Sequence, residues 1–311
     1  MNKSILEKIA VGTGTLLFSI SAFSFTPTPT PDPDPTPVPE PCQVDCDFTR
    51  GPIPTASDLE KDDGPYTVRT IDVPSSAGSF NGGTIHYPTG TTGTMGAIAV
   101  VSGFLAPEGD IIWWGPRLAS HGFVVVSIST PTFDGENRRA IQLSEALDYV
   151  ISESNSSGNA ISGMVDVNRL GAMGWSMGGG GSLKLATDRE LKAIIPTAPY
   201  YGQSNDFDTI TTPTLIIACE NDSVASVSNH AQPFYNDIPA STPKAFMEIA
   251  EGAHSCVTSG NSDEDTMGKY GIAWMKRFID EDTRYDQFLC GPSHVTEANG
   301  VLSDYQDTCN Y

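Results

Sequence analysis

The sequence predicts an α/β fold with a mostly parallel central sheet and helices on both of its faces. Short apolar runs alternate with segments of helical periodicity over most of the 311 residues, and such alternation is typical of parallel sheets. The runs at 96–103, 123–129 and 213–219 are almost continuously apolar, as expected of strands covered on both faces. A Gly-x-Ser-x-Gly motif at 174–178 lies between another apolar run and a glycine-rich helical segment.

The N-terminal segment carries signals of export. Lysines precede an apolar stretch that is too short to span a bilayer, and Ser24 follows small residues suited to cleavage, so residues 1–24 are predicted to be a secretory signal. An uncleaved membrane anchor is the alternative. Residues 25–46 are rich in Pro and Thr and are predicted to form an extended spacer. A single folded domain is then expected at 47–311, outside the cell.

Composition narrows the class of partner. The formal net charge is −21, which argues against nucleic acid and against an anionic membrane surface as partners. Six cysteines in an exported chain predict disulfides, with fifteen possible pairings. A zinc site is a poor alternative, because no Cys-x-x-Cys pair and no neighbouring histidine complete a ligand set. Spacing favours three local pairs, which are Cys42–Cys46, Cys219–Cys256 and Cys290–Cys309.

Each further element follows from a local pattern. The alternating segments 66–73 and 83–87, with turn residues between them, predict an antiparallel strand pair at the start of the domain. Residues 136–154 place apolar side chains on one face of a helix. The other predicted strands are 96–103, 123–129, 170–174, 191–197, 213–219 and 244–250. The other predicted helices are 113–120, 229–236 and 267–279, together with a helix that begins with the glycines 178–181.

The motif around Ser176 has specific steric requirements. A serine at the top of a strand-to-helix turn needs small residues two positions away on each side, because a Cβ there would clash with the turn. Gly174 and Gly178 meet this requirement. The following helix directs the partial positive charge of its first amides toward the serine. This pattern is the nucleophile elbow of the α/β-hydrolase fold, and a plain glycine-rich turn is the alternative.

A serine nucleophile needs a base, and the base needs an orienting acid. On this fold the acid and then the histidine follow the serine, in loops after strand ends. The run 213–219 leads into Glu220 and Asp222, and the run 244–250 leads into His254. We therefore predict a triad of Ser176, Asp222 and His254, with Glu220 as an alternative acid. The remaining histidines, expected at surface or capping positions, are His86, His121, His230 and His294.

Two backbone amides are predicted to form an oxyanion hole. One belongs to Met177, directly after the serine, and the other to Phe104, in the loop after the run 96–103. A plain core role is the alternative for Phe104. A Cys219–Cys256 bridge would join the acid loop to the base loop. This chemistry requires no cofactor or metal, and no run of carboxylates calls for a structural Ca²⁺.

Five separated motifs resemble one family in its own order along the chain. They are WWGPRLASHGFVVVSI, LGAMGWSMGGGGSL, ACENDSVA, GAHSC with SGNS, and AWMKRFIDEDTRY. They are similar to the secreted bacterial cutinase-like polyester hydrolases, the group that includes poly(ethylene terephthalate) (PET) hydrolases. The resemblance extends from about residue 48 to the end. The Cys219 and Cys256 pair and the loop Ser259 to Glu264 resemble the subgroup of active PET hydrolases.

The resemblance implies roles for residues around the serine. It assigns the triad to Ser176, Asp222 and His254 and the oxyanion hole to Phe104 and Met177. Two departures affect the shape of the cleft: Tyr200 stands where the family usually has Trp, and Phe104 where it often has Tyr. The residues that the resemblance places along the substrate cleft are Phe104, Trp175, Tyr200, Val224 and Ser255.

The predicted function is that of a secreted, monomeric serine esterase that cleaves polyesters, from cutin-like aliphatic chains to PET, through an acyl-enzyme. The nearest alternative is a general carboxylesterase or lipase acting on soluble or lipid esters. A peptidase of the same fold is a second alternative. A binding module that has kept the hydrolase fold is a third, and the presence of Ser176, Asp222 and His254 together argues against it.

Overall fold

A mixed sheet of nine strands carries the fold. The computed structural model describes residues 48–204, 206–291, 294 and 300–311. Within them the strands are β1 (Thr67–Val73), β2 (Gly83–Thr89), β3 (Met95–Val101), β4 (Val124–Ile128), β5 (Val165–Trp175), β6 (Ala193–Thr197), β7 (Thr214–Cys219), β8 (Lys244–Ile249) and β9 (Leu302–Asp307). Their order across the sheet is β1-β2-β4-β3-β5-β6-β7-β8-β9. The pairings of β1 with β2, β2 with β4 and β8 with β9 are antiparallel and the others are parallel, which confirms the predicted sheet.

Helices cover both faces of the sheet. They are α1 (Ala56–Leu59), α2 (Trp114–Ala119), α3 (Glu136–Asn155), α4 (Met177–Asp188), α5 (Ala231–Asp237) and α6 (Glu264–Ile279). Trp114 and Trp274, from α2 and α6, belong to one buried apolar cluster, while Leu143, Leu183 and Phe234, from α3, α4 and α5, belong to the other. Among the described residues no helix has the length and apolarity needed to cross a bilayer.

Two strands differ from the sequence-based expectation. The strand predicted at 170–174 extends back to Val165, which pairs with Met95 across an irregularity in the ladder. Strand β9 was not predicted at all. Its sequence, LSDYQD, is polar and remains partly exposed throughout, because it lies at the edge of the sheet and pairs only with β8. An edge strand that is held by backbone hydrogen bonds has no need of the apolar pattern used to find the others.

The expectation of a surface or capping position is wrong for His86 and His294. His121 follows the end of α2 and its amide donates to the Leu118 carbonyl at 3.1 Å, as expected of a capping position, although its side chain is buried. The structure buries His86, His121 and His294, which are 5%, 6% and 5% exposed. His86 lies in β2, which is flanked by strands on both sides, and a Cβ placed on Gly115 would lie 2.4 Å from its ring. The Nδ1 of His294 lies 3.2 Å from the hydroxyl oxygen of Tyr270. Sequence alone did not reveal that α2 covers β2 at this point.

We predict that His86 makes the fold sensitive to acid. Burial lowers the pKa of His86 to about 4, whereas the unfolded side chain titrates near 6.5. The unfolded state therefore binds an extra proton as the pH falls from 6.5 to 4, and the free energy of unfolding decreases over that window by about 3 kcal/mol. Replacing His86 by Leu removes this loss, since neither ring nitrogen has a hydrogen-bond partner among the described residues.

The measurement is urea unfolding of the wild type and of His86→Leu at pH 8 and pH 4. We expect similar stability of the two proteins at pH 8 and a clear advantage for His86→Leu at pH 4. Identical pH dependence in both proteins would rule out His86 as the source.

The N-terminal predictions cannot be compared with these elements. The predicted secretory signal (1–24), the spacer (25–46) and the Cys42–Cys46 pair lie outside the described residues.

Candidate active site

Ser176 occupies a strained turn between β5 and α4. Its φ of 57° and ψ of −120° lie outside the regions that residues with a Cβ prefer. Backbone hydrogen bonds hold this conformation: the Ser176 amide donates to the carbonyl of Thr197 at 3.0 Å, and the Ser176 carbonyl accepts from the amides of Gly180 and Tyr200 at 3.0 and 2.9 Å. The turn is thus fixed by its surroundings, and it projects the hydroxyl from the carboxyl end of β5.

The glycines around Ser176 are required by close backbone contacts. A Cβ on Gly174 would lie 2.3 Å from the carbonyl carbon of Gly178, and one on Gly178 would lie 2.5 Å from the carbonyl oxygen of Val101. A Cβ on Gly180 would meet the carbonyl oxygen of Tyr200 at 2.1 Å. Each glycine within a helix costs up to about 1 kcal/mol relative to Ala. The glycines of α4 therefore allow this helix to lie very close to the backbone of β3, of β5 and of the segment around Tyr200.

His254 connects Ser176 to Asp222. Its Nε2 lies 2.9 Å from the Ser176 hydroxyl oxygen, and its Nδ1 lies 2.6 Å from Oδ2 of Asp222. The other carboxylate oxygen of Asp222 accepts the amides of Val224 at 2.8 Å and Ala225 at 2.7 Å. The structure thus brings the predicted triad residues into one hydrogen-bonded chain, with the acid fixed from both of its oxygens.

The environment of Asp222 favours its charged form. Asp222 is 5% exposed, and this burial alone would raise its pKa, but the hydrogen bonds from His254 and from the two amides outweigh burial and leave the pKa lower than usual. Glu220, the alternative acid, is exposed and accepts the amide of Glu251 at 2.7 Å. The structure therefore places Asp222, and not Glu220, against His254.

Two of the predicted disulfides are present. Cys219 and Cys256, whose Cα atoms are 6.1 Å apart, connect the end of β7 to the loop after β8. The bridge joins the acid loop to the base loop, because Cys219 precedes Asp222 by three positions and Cys256 follows His254 by two. The second bridge, Cys290–Cys309, lies in the C-terminal region of the chain.

The two candidate oxyanion amides belong to segments that lie next to Ser176. Met177 is the first residue of α4, so its amide has no partner within the helix. The loop after β3 passes directly over the serine, since a Cβ on Gly103 would lie 2.8 Å from the Ser176 Cβ, and Phe104 follows. Within the described part of the chain, neither Met177 nor Phe104 has an amide that donates to another backbone carbonyl.

The residues predicted to line the cleft differ in exposure and in contacts. Phe104 and Val224 are 41% and 58% exposed, and Ser255 is exposed beside His254. The indole Nε1 of Trp175 donates to the His254 carbonyl at 3.0 Å, which links this ring to the base loop. Tyr200 is half-buried. The centroid of its ring lies 4.8 Å from that of His230, and the His230 centroid lies 5.7 Å from that of Phe234.

Sequence reasoning missed three residues near the site. Phe133 is 80% exposed, and its ring lies 6.1 Å from that of Phe104. The Nε1 of Trp113 donates to the Val257 carbonyl in the base loop at 3.2 Å. Arg139 reaches the loop after β3 from α3. Only Arg139 carried a visible signal, because a charged residue on the apolar stripe of a helix is unusual.

Among the described residues there is no cluster of three or more His, Cys, Asp or Glu side chains that could hold a metal ion. The class of protein follows from three features: the central sheet, the turn at Ser176 and the hydrogen-bonded chain through His254 to Asp222. Together they define a member of the α/β-hydrolase class.

Comparison with known proteins identifies the family within this class. Residues 43–310 match the sequence model of the PET hydrolase-like family. The chain is 45% identical over 278 residues to Cutinase est1 of Thermobifida alba, covering 87% of this chain and 90% of the relative. It is 46% identical over 270 residues to a bis(hydroxyethyl) terephthalate hydrolase of Streptomyces coelicolor, covering 86% and 83%. It is also 46% identical over 253 residues to Lipase 1 of a Moraxella species, covering 79% and 76%.

The chain therefore belongs to the PET hydrolase-like family and is a carboxylic ester hydrolase. This confirms the family resemblance, the predicted α/β-hydrolase fold and the predicted class of enzyme.

Proposed function

We propose that this protein hydrolyses the ester bonds of polyesters, from cutin-like aliphatic chains to PET, with Ser176 as nucleophile, His254 as base and Asp222 as orienting acid. The observation that carries the proposal is the hydrogen-bonded chain of these three side chains at an open, aromatic surface. The names of the relatives from Thermobifida and Streptomyces, a cutinase and a terephthalate ester hydrolase, support the substrate class.

The reaction follows from the geometry of the triad. His254 takes the proton from the Ser176 hydroxyl through Nε2 while that oxygen attacks the ester carbonyl. Asp222 keeps the remaining proton on Nδ1 and stabilises the imidazolium that forms. The amides of Phe104 and Met177 stabilise the oxyanion of the tetrahedral intermediate. The imidazolium then protonates the leaving alcohol, and water activated by His254 hydrolyses the acyl-enzyme in the same way.

The proposed substrate contacts suit a flat polymer chain. Phe104, Trp175 and Tyr200 offer aromatic surface on which a terephthalate ring can stack, and Val224 and Ser255 border the scissile ester. Because Phe104 and Val224 are exposed, a chain can reach Ser176 while it remains part of a solid surface. The polymer surface is thus the proposed partner, and the enzyme acts as a monomer without binding nucleic acid.

We also propose that the protein works outside the cell, with 1–24 as a cleaved signal, 25–46 as a spacer and 47–311 as the catalytic domain. The Cys219–Cys256 and Cys290–Cys309 bridges support export, since disulfides persist mainly in oxidising compartments.

Product release from amorphous PET film and from a short aliphatic polyester tests the proposal, with Ser176→Ala as the control for the nucleophile. Aromatic acid released by the wild type, and not by Ser176→Ala, is the expected result. Release from the aliphatic polymer alone would restrict the function to cutin-like chains. Equal release by both proteins would exclude Ser176 as the nucleophile.

A lipase or general carboxylesterase is the second candidate, and the identity to Lipase 1 of Moraxella favours it. Such an enzyme would cleave short p-nitrophenyl esters and lipid esters but release nothing from either polyester. The same film assay, run beside a soluble ester, separates the two candidates.

A further inference from the structure

Arg139 is a buried cation directly behind the loop that follows β3. It lies in α3 with no exposed surface, and its Nη2 donates to the carbonyl oxygen of Gly103 at 2.7 Å. The same carbonyl accepts a longer hydrogen bond, 3.4 Å, from the amide of Ala106. The guanidinium is therefore the close partner of the Gly103 carbonyl.

We propose that Arg139 is a positioning residue that orients and polarises one donor of the oxyanion hole. This inference rests on the proposed function. The Gly103 carbonyl and the Phe104 N–H belong to one peptide group, which is planar with the two bonds pointing in opposite directions. A hydrogen bond that fixes the oxygen on one side therefore fixes the direction of the N–H on the other. A cationic donor at the oxygen also polarises the group and strengthens the N–H as a donor.

The position of Arg139 is unfavourable for the stability of the fold. Its Nε and Nη1 are buried without a hydrogen-bond partner among the described residues, and burial lowers its pKa to about 10, so it remains charged at neutral pH. Buried unpaired donors are destabilising, and apolar residues of similar volume often serve stability as well or better. A role in stability alone does not account for a charged residue here.

The loop itself needs such an anchor. Leu105, directly after Phe104, has a φ of 59°, which is unfavourable for a residue with a Cβ. The stem of Arg139 also packs against the helix that begins after the nucleophile, since a Cβ on Gly181 would lie 2.6 Å from the Arg139 Cβ. Arg139 thus contacts both elements that supply the proposed oxyanion donors, α4 and the loop after β3.

Variants at Arg139 test this role in the full-length protein. Arg139→Met removes the donor, and Arg139→Lys keeps a cation that can reach the same carbonyl. The measurements are kcat and KM on p-nitrophenyl butyrate and inhibition by phenylboronic acid, whose tetrahedral adduct with a serine places an oxygen in the hole. All are made well below the melting temperature and per active site.

We expect Arg139→Met to lower kcat by roughly 10-fold or more, but by no more than the roughly 10²- to 10³-fold found for loss of a whole oxyanion donor. KM should change little, the boronic acid should bind more weakly by a similar factor, and Arg139→Lys should recover part of both losses. A merely structural residue would change the melting temperature without this pattern.

Arg117→Met is the matched control. Arg117 is also buried, its pKa is also lowered by burial, and its Nη2 donates at 2.6 Å to the carbonyl of Glu60, directly after α1. We expect Arg117→Met to lower stability and leave kcat and boronic acid binding unchanged.

Wild-type kcat and boronic acid binding in Arg139→Met would overturn the inference, as would an equal loss in Arg117→Met. If Arg139→Met does not fold, Arg139→Lys with wild-type stability and no change in either quantity overturns it as well. A failure of the proposed function would be distinguishable from a failure of this inference, because Ser176→Ala would then retain activity.

Discussion

Asp222→Asn is expected to lower kcat by about 10⁴-fold, as loss of the acid does in other Ser-His-Asp enzymes, with little change in KM. The structure explains why the replacement should be so damaging. Oδ1 of Asp222 accepts two backbone amides, from Val224 and Ala225. An asparagine keeps those bonds only if its carbonyl oxygen takes that position, and its NH₂ group must then face His254.

The NH₂ group would force the wrong tautomer on His254. Nδ1, which lies 2.6 Å from Oδ2 in the wild type, would have to accept a hydrogen bond and could no longer carry the proton. The proton would then reside on Nε2, which faces the Ser176 hydroxyl at 2.9 Å. An imidazole protonated there cannot act as the base, so the hydroxyl stays unactivated although every heavy atom remains in place.

Steady-state kinetics on a soluble ester at pH 8 measure this effect, with Glu220→Gln as the matched control. Glu220 lies two residues from Asp222 and is exposed, and its carboxylate accepts only the Glu251 amide among the described partners. We expect Glu220→Gln to stay within about 2-fold of the wild type, as for surface positions away from the chemistry. A large loss in Glu220→Gln with a small one in Asp222→Asn would reassign the acid.

The parts of the fold that the sequence revealed are those in which burial dictates composition. Strands β3, β4 and β7 are buried along their whole length, so the sequence of each is a run of mainly apolar residues. Strand β9 is held at the edge by its pairing with β8, and polar side chains suffice there. The buried histidines show the same limit, because which helix covers β2 is a property of packing and not of the local sequence around His86.

The candidate site divides in a similar way. The hydrogen-bonded chain of Ser176, His254 and Asp222 could be predicted because each residue lies at the end of a recognisable strand and because the three follow the chain order expected of this fold. The contact of Arg139 with Gly103 joins positions 36 residues apart, and that of Trp113 with Val257 joins positions 144 apart. No local pattern encodes such contacts, so the sequence indicated the proposed catalytic groups and not the residues that contact their loops.

Removing the Cys219–Cys256 bridge by a double replacement with Ala is expected to lower the free energy of unfolding by about 4 kcal/mol, and the melting temperature by roughly 10 °C. The bridge spans 37 positions, and a closed loop of that size restricts the unfolded chain by about this amount in the chain-entropy model. Both cysteines are buried, so the truncated side chains leave a space that adds to the loss. Thermal and urea unfolding measure the effect.

The bridge should also affect activity in the folded protein, because it joins the loops that carry Asp222 and His254. The matched control is the double Ala replacement of Cys290 and Cys309. Their bridge closes a loop of 19 positions, so its removal should lower the free energy of unfolding by about 3 kcal/mol. At a temperature where all three proteins are folded, we expect kcat to fall only when the Cys219–Cys256 bridge is absent. Equal kcat in both double variants would limit this bridge to stabilising the fold, and the alignment of acid and base would then depend on the hydrogen bonds of Asp222 alone.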